Sequence, residues 1–192
     1  MNDKEREIYY KRCSRIRYWL LRAYKNYGIL IAMSNHNDAV AAGVYERCPN
    51  MIYKHICELT KTDLALCIWK IYIDNHPNAN TIYRLNDFLH VKGYTYSAKL
   101  GLSTAVAPVK KQIYDARHKF LAHDDITRDH VEANMELAKK ALDEIVVMYN
   151  GLCDKSIDDR VEQISKEDIG EMTFVSTFQM MSVMQSSSTE KE

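Results

Sequence analysis

The sequence predicts an all-α fold, a bundle of amphipathic helices. Three observations carry that expectation. Glycine (6) and proline (3) are scarce in 192 residues, which argues against turn-rich sandwiches and barrels. Apolar residues recur at three- and four-residue spacing along most of the chain, the period of a helix face. Most of the few breakers punctuate the chain between those stripes. A hydrophobic content of 46% excludes global disorder. No apolar run approaches ~18 residues, so no transmembrane helix is expected.

The elements follow in order. Residues 4–33 read as one helix, bent at Gly28 if anywhere, with Ile8, Ile16, Trp19, Leu20, Ala23 and Tyr27 as its apolar positions and cations on the rest. Residues 35–46 read as a short helix capped by Asn35 or Asn37. Pro49 suits a first helical position. The stripe Ile52, Ile56, Leu59, Leu64, Ile68 and Ile71 then runs to about Asp74, wide enough for a helix buried on more than one side. The turn NHPNAN (75–80) leads to a helix from Thr81 to Lys92, stopped by Gly93. A long helix is expected from Tyr96 to Ala122, kinked or split by Pro108. The next helix carries Val131, Met135, Ala138, Leu142, Ile145 and Tyr149, and Gly151 ends it. Residues 152–170 are charged and weakly periodic, 172–184 suit helix or strand, and the last residues form a tail. The expected organisation is a helical bundle over 1–150, an extension packed on it over 151–184, and a flexible tail over 185–192.

Charge and cysteine usage bound the function. The chain balances 26 basic against 26 acidic residues, which excludes a globally basic nucleic-acid binder but allows local patches. Residues 1–28 hold eight cations against three acids, and residues 151–192 four against nine. The cysteines Cys13, Cys48, Cys57, Cys67 and Cys153 are odd in number and lack a C-x-x-C, so neither a disulfide framework nor a zinc site is expected. MNDKEREIYY has no apolar stretch after its charges, unlike a signal peptide. Together these read as a reduced, cytoplasmic protein without a membrane partner.

The most informative stretch is DARHKFLAHDD, residues 115–125. Arg117 is followed by a polar residue, His118, and six positions on by His123. Six residues of unbroken helix turn ~240°, so the two side chains would sit about 120° apart. They share a pocket only if the helix ends between them or a second subunit supplies another copy. The residue types suit RNA cleavage by an attacking 2′-hydroxyl. Histidine takes and gives protons near neutral pH, and a guanidinium contacts two oxygens of the phosphorane at once. That chemistry requires no cofactor, and no metal-ligand spacing is present. The bland reading makes His123 a core histidine continuing the stripe of Ile113, Ala116 and Phe120, and pairs Arg117 with Asp124 or another acid.

ARHKFLAHDD, expected at the end of one helix and before another, resembles the R-[N/D/H]-x-x-x-x-H signature of HEPN domains, and its R-x-K-x-x-A-H-x-D form is most similar to the abortive-infection U-type branch. A second stretch, residues 59–89, resembles that branch's upstream helix: Asp63 heads an apolar run, Asp74 ends it, and a short turn leads to an N-T-I-x-x-L start. The resemblance covers roughly residues 10–150. It implies an antiparallel helical bundle that dimerises, with the motif of each chain at one composite site, and a metal-independent endoribonuclease of a toxin or phage-defence type. Relatives that have lost catalysis bind RNA, nucleotides or protein partners. Carried over, Arg117 takes the arginine role, His118 the polar position and His123 the histidine role. RNA and a cognate antitoxin or regulator are the partners this implies.

Supporting residues carry two readings each. Asp63 caps a helix restart or bonds a buried arginine, or else orients Arg117 or His123. Asp124 orients His123 or caps a helix. Lys119 touches a phosphate or is an exposed lysine. Tyr114, one turn before His118, stacks a base or packs in the bundle. The N-terminal Arg/Lys face is a solvated helix side and the best candidate for tracking an RNA backbone. The competing function is a non-catalytic helical module using the same groove.

Overall fold

A computed structural model describes residues 1–39, 50–95, 100–117 and 134–173. It is all helical, with no strand among the described residues. The long spine is α1 (Asp3–Ala39). It is followed by α2 (Asn50–Ile68), one turn of π-helix (Trp69–Ile73), α3 (Ile82–Val91), α4 (Pro108–Arg117) and α5 (Met135–Leu152), and residues 166–173 are helical again. α1 packs against α2, α3, α5 and the π-turn, while α4 packs against α2, α5 and the π-turn. No described helix is long and apolar enough to cross a membrane.

α1 starts on a reciprocal cap. The Glu5 amide donates to Asn2 Oδ1 at 2.9 Å, and the Asn2 amide donates back to Glu5 Oε2 at 3.0 Å. Its buried positions include Tyr9, Cys13, Ile16, Leu20, Ala23 and Tyr24, then Leu30 and Met33. The expected break before residue 35 is absent: the helix runs on through Asn35 and Asn37 to Ala39. Asparagine caps a helix only where the chain enters from an extended conformation, and here the chain is already helical.

α2 and the π-turn bury Leu64, Cys67, Ile68, Trp69, Ile71 and Tyr72. The extra residue in the π-turn, closed by the Asp74 amide on Trp69 O at 2.9 Å, widens the buried arc beyond one helical stripe. α3 is capped by Thr81, whose side chain accepts from the Arg84 amide. It ends in a Schellman turn: the Tyr94 amide reaches Leu89 O and the Gly93 amide reaches His90 O, both at 3.0 Å. Gly93 sits at φ +80°, which only glycine adopts cheaply.

The long helix expected from Tyr96 to Ala122 is corrected. Residues 100–107 are not helical, and Pro108 opens α4 rather than kinking a longer helix. A proline has no amide to give and its fixed φ suits the first helical turn. The segment before it is pinned to α5, because the Ser103 amide and hydroxyl both donate to the Glu144 carboxylate, at 2.8 and 2.6 Å. α5 is capped by Asn134, whose side chain accepts from the Leu137 amide at 3.0 Å. Gly151 lies within it, and the helix closes one residue later at Leu152. The cap candidate Asp124 lies outside the described residues.

Past α5 the chain returns along the bundle. Ile157, Val161 and Ile164 enter the core cluster. Asn150 clamps the return: its Nδ2 donates to Ile164 O and its Oδ1 accepts from the Ile164 amide, both at 2.8 Å. Ser165 and Asp168 form a second reciprocal cap, opening the helical residues 166–173. That stretch meets α1 at Gly28. A Cβ there would lie 2.8 Å from Thr173 O and 3.0 Å from Thr173 Cα. Gly28 therefore serves close helix approach, and α1 passes through it unbroken.

Two alanine substitutions separate these roles. Gly28→Ala is expected to lower the melting temperature, because overpacking against fixed backbone, at about 1–3 kcal/mol, exceeds the helix gain of roughly 0.5–1 kcal/mol. Gly170→Ala, whose Cβ meets nothing within 4 Å among the described residues, keeps that gain and raises the melting temperature. Thermal melts of both variants check the pair; a stabilising Gly28→Ala would show that the close approach yields freely.

Candidate functional site

The structure places the predicted site residues in two groups. Arg117 is the last described residue of α4, and its side chain is not described. His118, Lys119, His123 and Asp124 lie outside the described residues. Upstream, Val109 and Ile113 anchor α4 in the core. Tyr114 sits with its ring centre 5.7 Å from that of Trp69 and remains half exposed. α4, which carries Arg117 at its last described position, is seated on α2, α5 and the π-turn.

Asp63, on α2, faces α1. Arg22 Nε and Nη2 donate to Asp63 Oδ2 and Oδ1, both at 2.8 Å, a forked pair. Asn26 Nδ2 donates to the same Oδ2 at 2.6 Å. Arg22 also donates from Nη1 to the Tyr18 hydroxyl at 3.2 Å. The bonds to Asp63 and Tyr18 hold the guanidinium still further above its already high pKa, so it is charged at every working pH. Of the readings open for Asp63, the structure displays the bond to an arginine, and that arginine is Arg22. Arg22 and Asn26, four apart on α1, were the signal for a polar helix face. Nothing in the chain order tied that face to an acid so far along.

Asp63→Ala is expected to cost about 1 kcal/mol, since a part-exposed pair is screened while the buried Asn26 amide loses its acceptor. That corresponds to roughly 2–4 °C in melting temperature. Asp63→Asn keeps one acceptor and costs less. An unchanged melt for Asp63→Ala would remove the pair from the fold's support.

A groove of about 690 Å³ opens along this face of α1. α1 lines it with Tyr10, Ser14, Arg17, Tyr18, Leu21, Arg22, Lys25 and Asn26, residues spaced by three and four along one side. Asp63 stands on one flank and residues 160–162 on the other. Arg17 Nη2 lies 3.3 Å from both Glu162 and Asp168, while its Nε is buried without a hydrogen-bond partner among the described residues. Arg160 pairs with Asp158 at 2.7 Å and Glu7 at 3.0 Å. Lys25 has no acidic partner among the described residues. No group of three or more His, Cys, Asp or Glu converges to hold a metal among the described residues.

Comparison with known proteins leaves the site to be read from its own residues: no family model, no curated protein and no solved structure matches the chain.

Proposed function

We propose that the protein is a metal-independent endoribonuclease of HEPN type that acts as a toxin or in phage defence, with Arg117 and His123 as its chemical pair. The observation that carries this reading is the run Arg117-His118 followed by His123, begun on the last described residue of α4 in an all-helical fold. The reaction needs only these residue types. The ribose 2′-oxygen forms a bond to phosphorus, and its proton passes to a neutral histidine. Arg117 binds the negative charge that gathers on the non-bridging oxygens. The P–O5′ bond then breaks, and an imidazolium protonates the departing 5′-oxygen. The products are a 2′,3′-cyclic phosphate and a 5′-hydroxyl.

His123 alone takes the histidine role in each chain, and its angular offset of about 120° from Arg117 along an unbroken helix favours a homodimer, in which two motifs meet and base and acid come from different copies. Asp124 is assigned to orienting His123, and Lys119 and Tyr114 to holding substrate. A cognate antitoxin or regulator is the partner such an activity calls for.

The test is incubation of the dimer with single-stranded RNA in EDTA, with mass spectrometry of the product ends. Cyclic or 3′-phosphate ends support the proposal. Ends carrying a 5′-phosphate, or cleavage that requires a divalent cation, overturn it. Light scattering that finds a stable monomer at micromolar concentration overturns the composite site. The second reading, a non-catalytic module that binds RNA, a nucleotide or a protein, is favoured by the net charge of zero. It predicts binding without cleavage.

A further inference from the structure

α1 carries a second feature, distinct from the Arg117 region. Arg15, the adjacent pair Tyr18 and Trp19, Arg22 and Lys25 lie three or four residues apart from one group to the next, so they form one stripe ~15 Å long. The stripe is already organised. Tyr18 and Trp19 pack edge to face, ring centres 5.1 Å apart. The Arg15 guanidinium lies over both rings, 5.7 Å from the centre of Tyr18 and 5.4 Å from that of Trp19. Arg22 lies 5.4 Å from the Trp19 ring and donates to the Tyr18 hydroxyl. These interactions fix the aromatic rings without hiding them, and Tyr18 is 48% exposed.

The charges divide into used and unused. Arg22 is committed to Asp63. Arg15 and Lys25, at the two ends of the stripe, are exposed and have no acidic partner among the described residues. The stripe continues into the groove, whose polar lining includes Ser14 and Arg17, the latter with a buried Nε that has no partner among the described residues.

We infer that this face of α1 binds single-stranded RNA, with a base stacked on Tyr18 and phosphates at Arg15 and Lys25. Unpaired cations flanking an exposed ring are what a flexible strand requires: the ring takes any base face, and the cations follow the backbone. An acidic peptide would use the cations and leave the ring idle, so the exposed, prefixed aromatic favours nucleic acid. Duplex RNA offers phosphates but no free base faces, and binds more weakly here. The inference deepens the ribonuclease reading by naming where the strand lies, remote in sequence from the cleaving pair.

The test measures binding in a His123→Ala background, so that cleavage cannot consume the probe. The full-length protein is titrated into a fluorescein-labelled oligouridylate, and anisotropy is followed across a salt series. Arg15→Gln with Lys25→Gln is expected to weaken binding by about tenfold and to reduce the slope of log K against log salt by about 1.4, or about 0.7 for each phosphate left without its cation. Tyr18→Ala is expected to weaken it by roughly 5- to 150-fold with the slope unchanged, as removal of one base stack requires. Lys140→Gln, an exposed charge on α5, is the control and leaves both unchanged. Thermal melts verify that each variant folds.

Unchanged affinity in the α1 variants overturns the inference, and the ribonuclease reading then stands or falls on the wild-type cleavage assay alone. Binding that depends on Tyr18 while wild type fails to cleave keeps the inference and removes the ribonuclease reading. Poly-glutamate competing as well as unlabelled oligouridylate, with Tyr18→Ala silent, assigns the face to an acidic protein partner instead and overturns the inference.

Discussion

Replacing His123 by alanine is expected to abolish RNA cleavage while leaving the fold intact. A histidine that moves protons must be reached by substrate, so it is not packed as core, and its loss removes the group that titrates near neutral pH. Arg117→Ala is expected to slow cleavage by about 10²–10³, the usual cost of one partner to developing negative charge. Arg117→Lys restores little of this, because an ammonium cannot make the forked contact to two oxygens. The competing structural role predicts the reverse pattern. If His123 continued the apolar stripe of Ile113, its loss would lower the melting temperature by several degrees, with no cleavage to lose. Cleavage assays and thermal melts on the same two variants separate the roles. Full cleavage by a folded His123→Ala protein removes the catalytic assignment.

Residue types and residue geometry were legible in the sequence to different degrees. The helical class, the Thr81 and Gly93 boundaries of α3 and the turn over 75–80 follow from local rules, and the structure displays each of them. The register of α1 was less legible. Ile16, Leu20 and Ala23 are buried as the apolar spacing expects, but Ile8 is exposed, Tyr27 is half-buried, Trp19 holds two guanidiniums, and Tyr9, Cys13 and Tyr24 complete the core. Adjacent aromatic positions satisfy a three-four rule equally well along so aromatic a helix. Long-range hydrogen bonding decides between them, because the buried tyrosines each reach a partner more than a hundred residues away.

The same limit governs the candidate site. Arg117 and His123 could be chosen because the chemistry depends on residue type, and one short motif holds both. The Arg22–Asp63 fork could not, since its two halves are 41 residues apart. Nor could the Arg15–Tyr18–Trp19 stack be separated from an ordinary solvated face without knowing which cations the fold leaves unpaired. Pro108 shows how a breaker has two meanings. Inside a periodic stripe it reads as a kink, but where the preceding segment is tied to another helix, as Ser103 is to Glu144, it begins a new helix.

The largest stability effect short of a core cavity is expected at Tyr9. Its ring is fully buried. Its hydroxyl donates to Leu152 O and accepts from the Asp154 amide, both at 2.8 Å. Leu152 is the last residue of α5, where carbonyls have no helical partner. One oxygen from α1 therefore satisfies an acceptor and a donor at the point where the chain turns back. Tyr9→Phe preserves the packing and strands both groups, costing about 2–3 kcal/mol, or roughly 4–12 °C in melting temperature.

Tyr149→Phe is the comparison. Its hydroxyl has one hydrogen to offer between Glu162 O at 2.9 Å and Cys13 O at 3.2 Å, so its loss costs about 1 kcal/mol. Alkaline pH supplies a second reading. Burial raises the Tyr9 phenol far above its ordinary value, so the folded state keeps its proton while the unfolded chain ionises near pH ~10. Stability is therefore fully present below that pH and falls as pH rises past it, and Tyr9→Phe should make the fall shallower. Melts of the two variants at neutral and alkaline pH test the argument. Equal losses at neutral pH, or an alkaline limb unchanged in Tyr9→Phe, would show that the hydroxyl does not bridge α1 to the end of α5. It would also leave the far flank of the α1 groove to be held by Asn150 and the apolar packing of Ile157, Val161 and Ile164 alone.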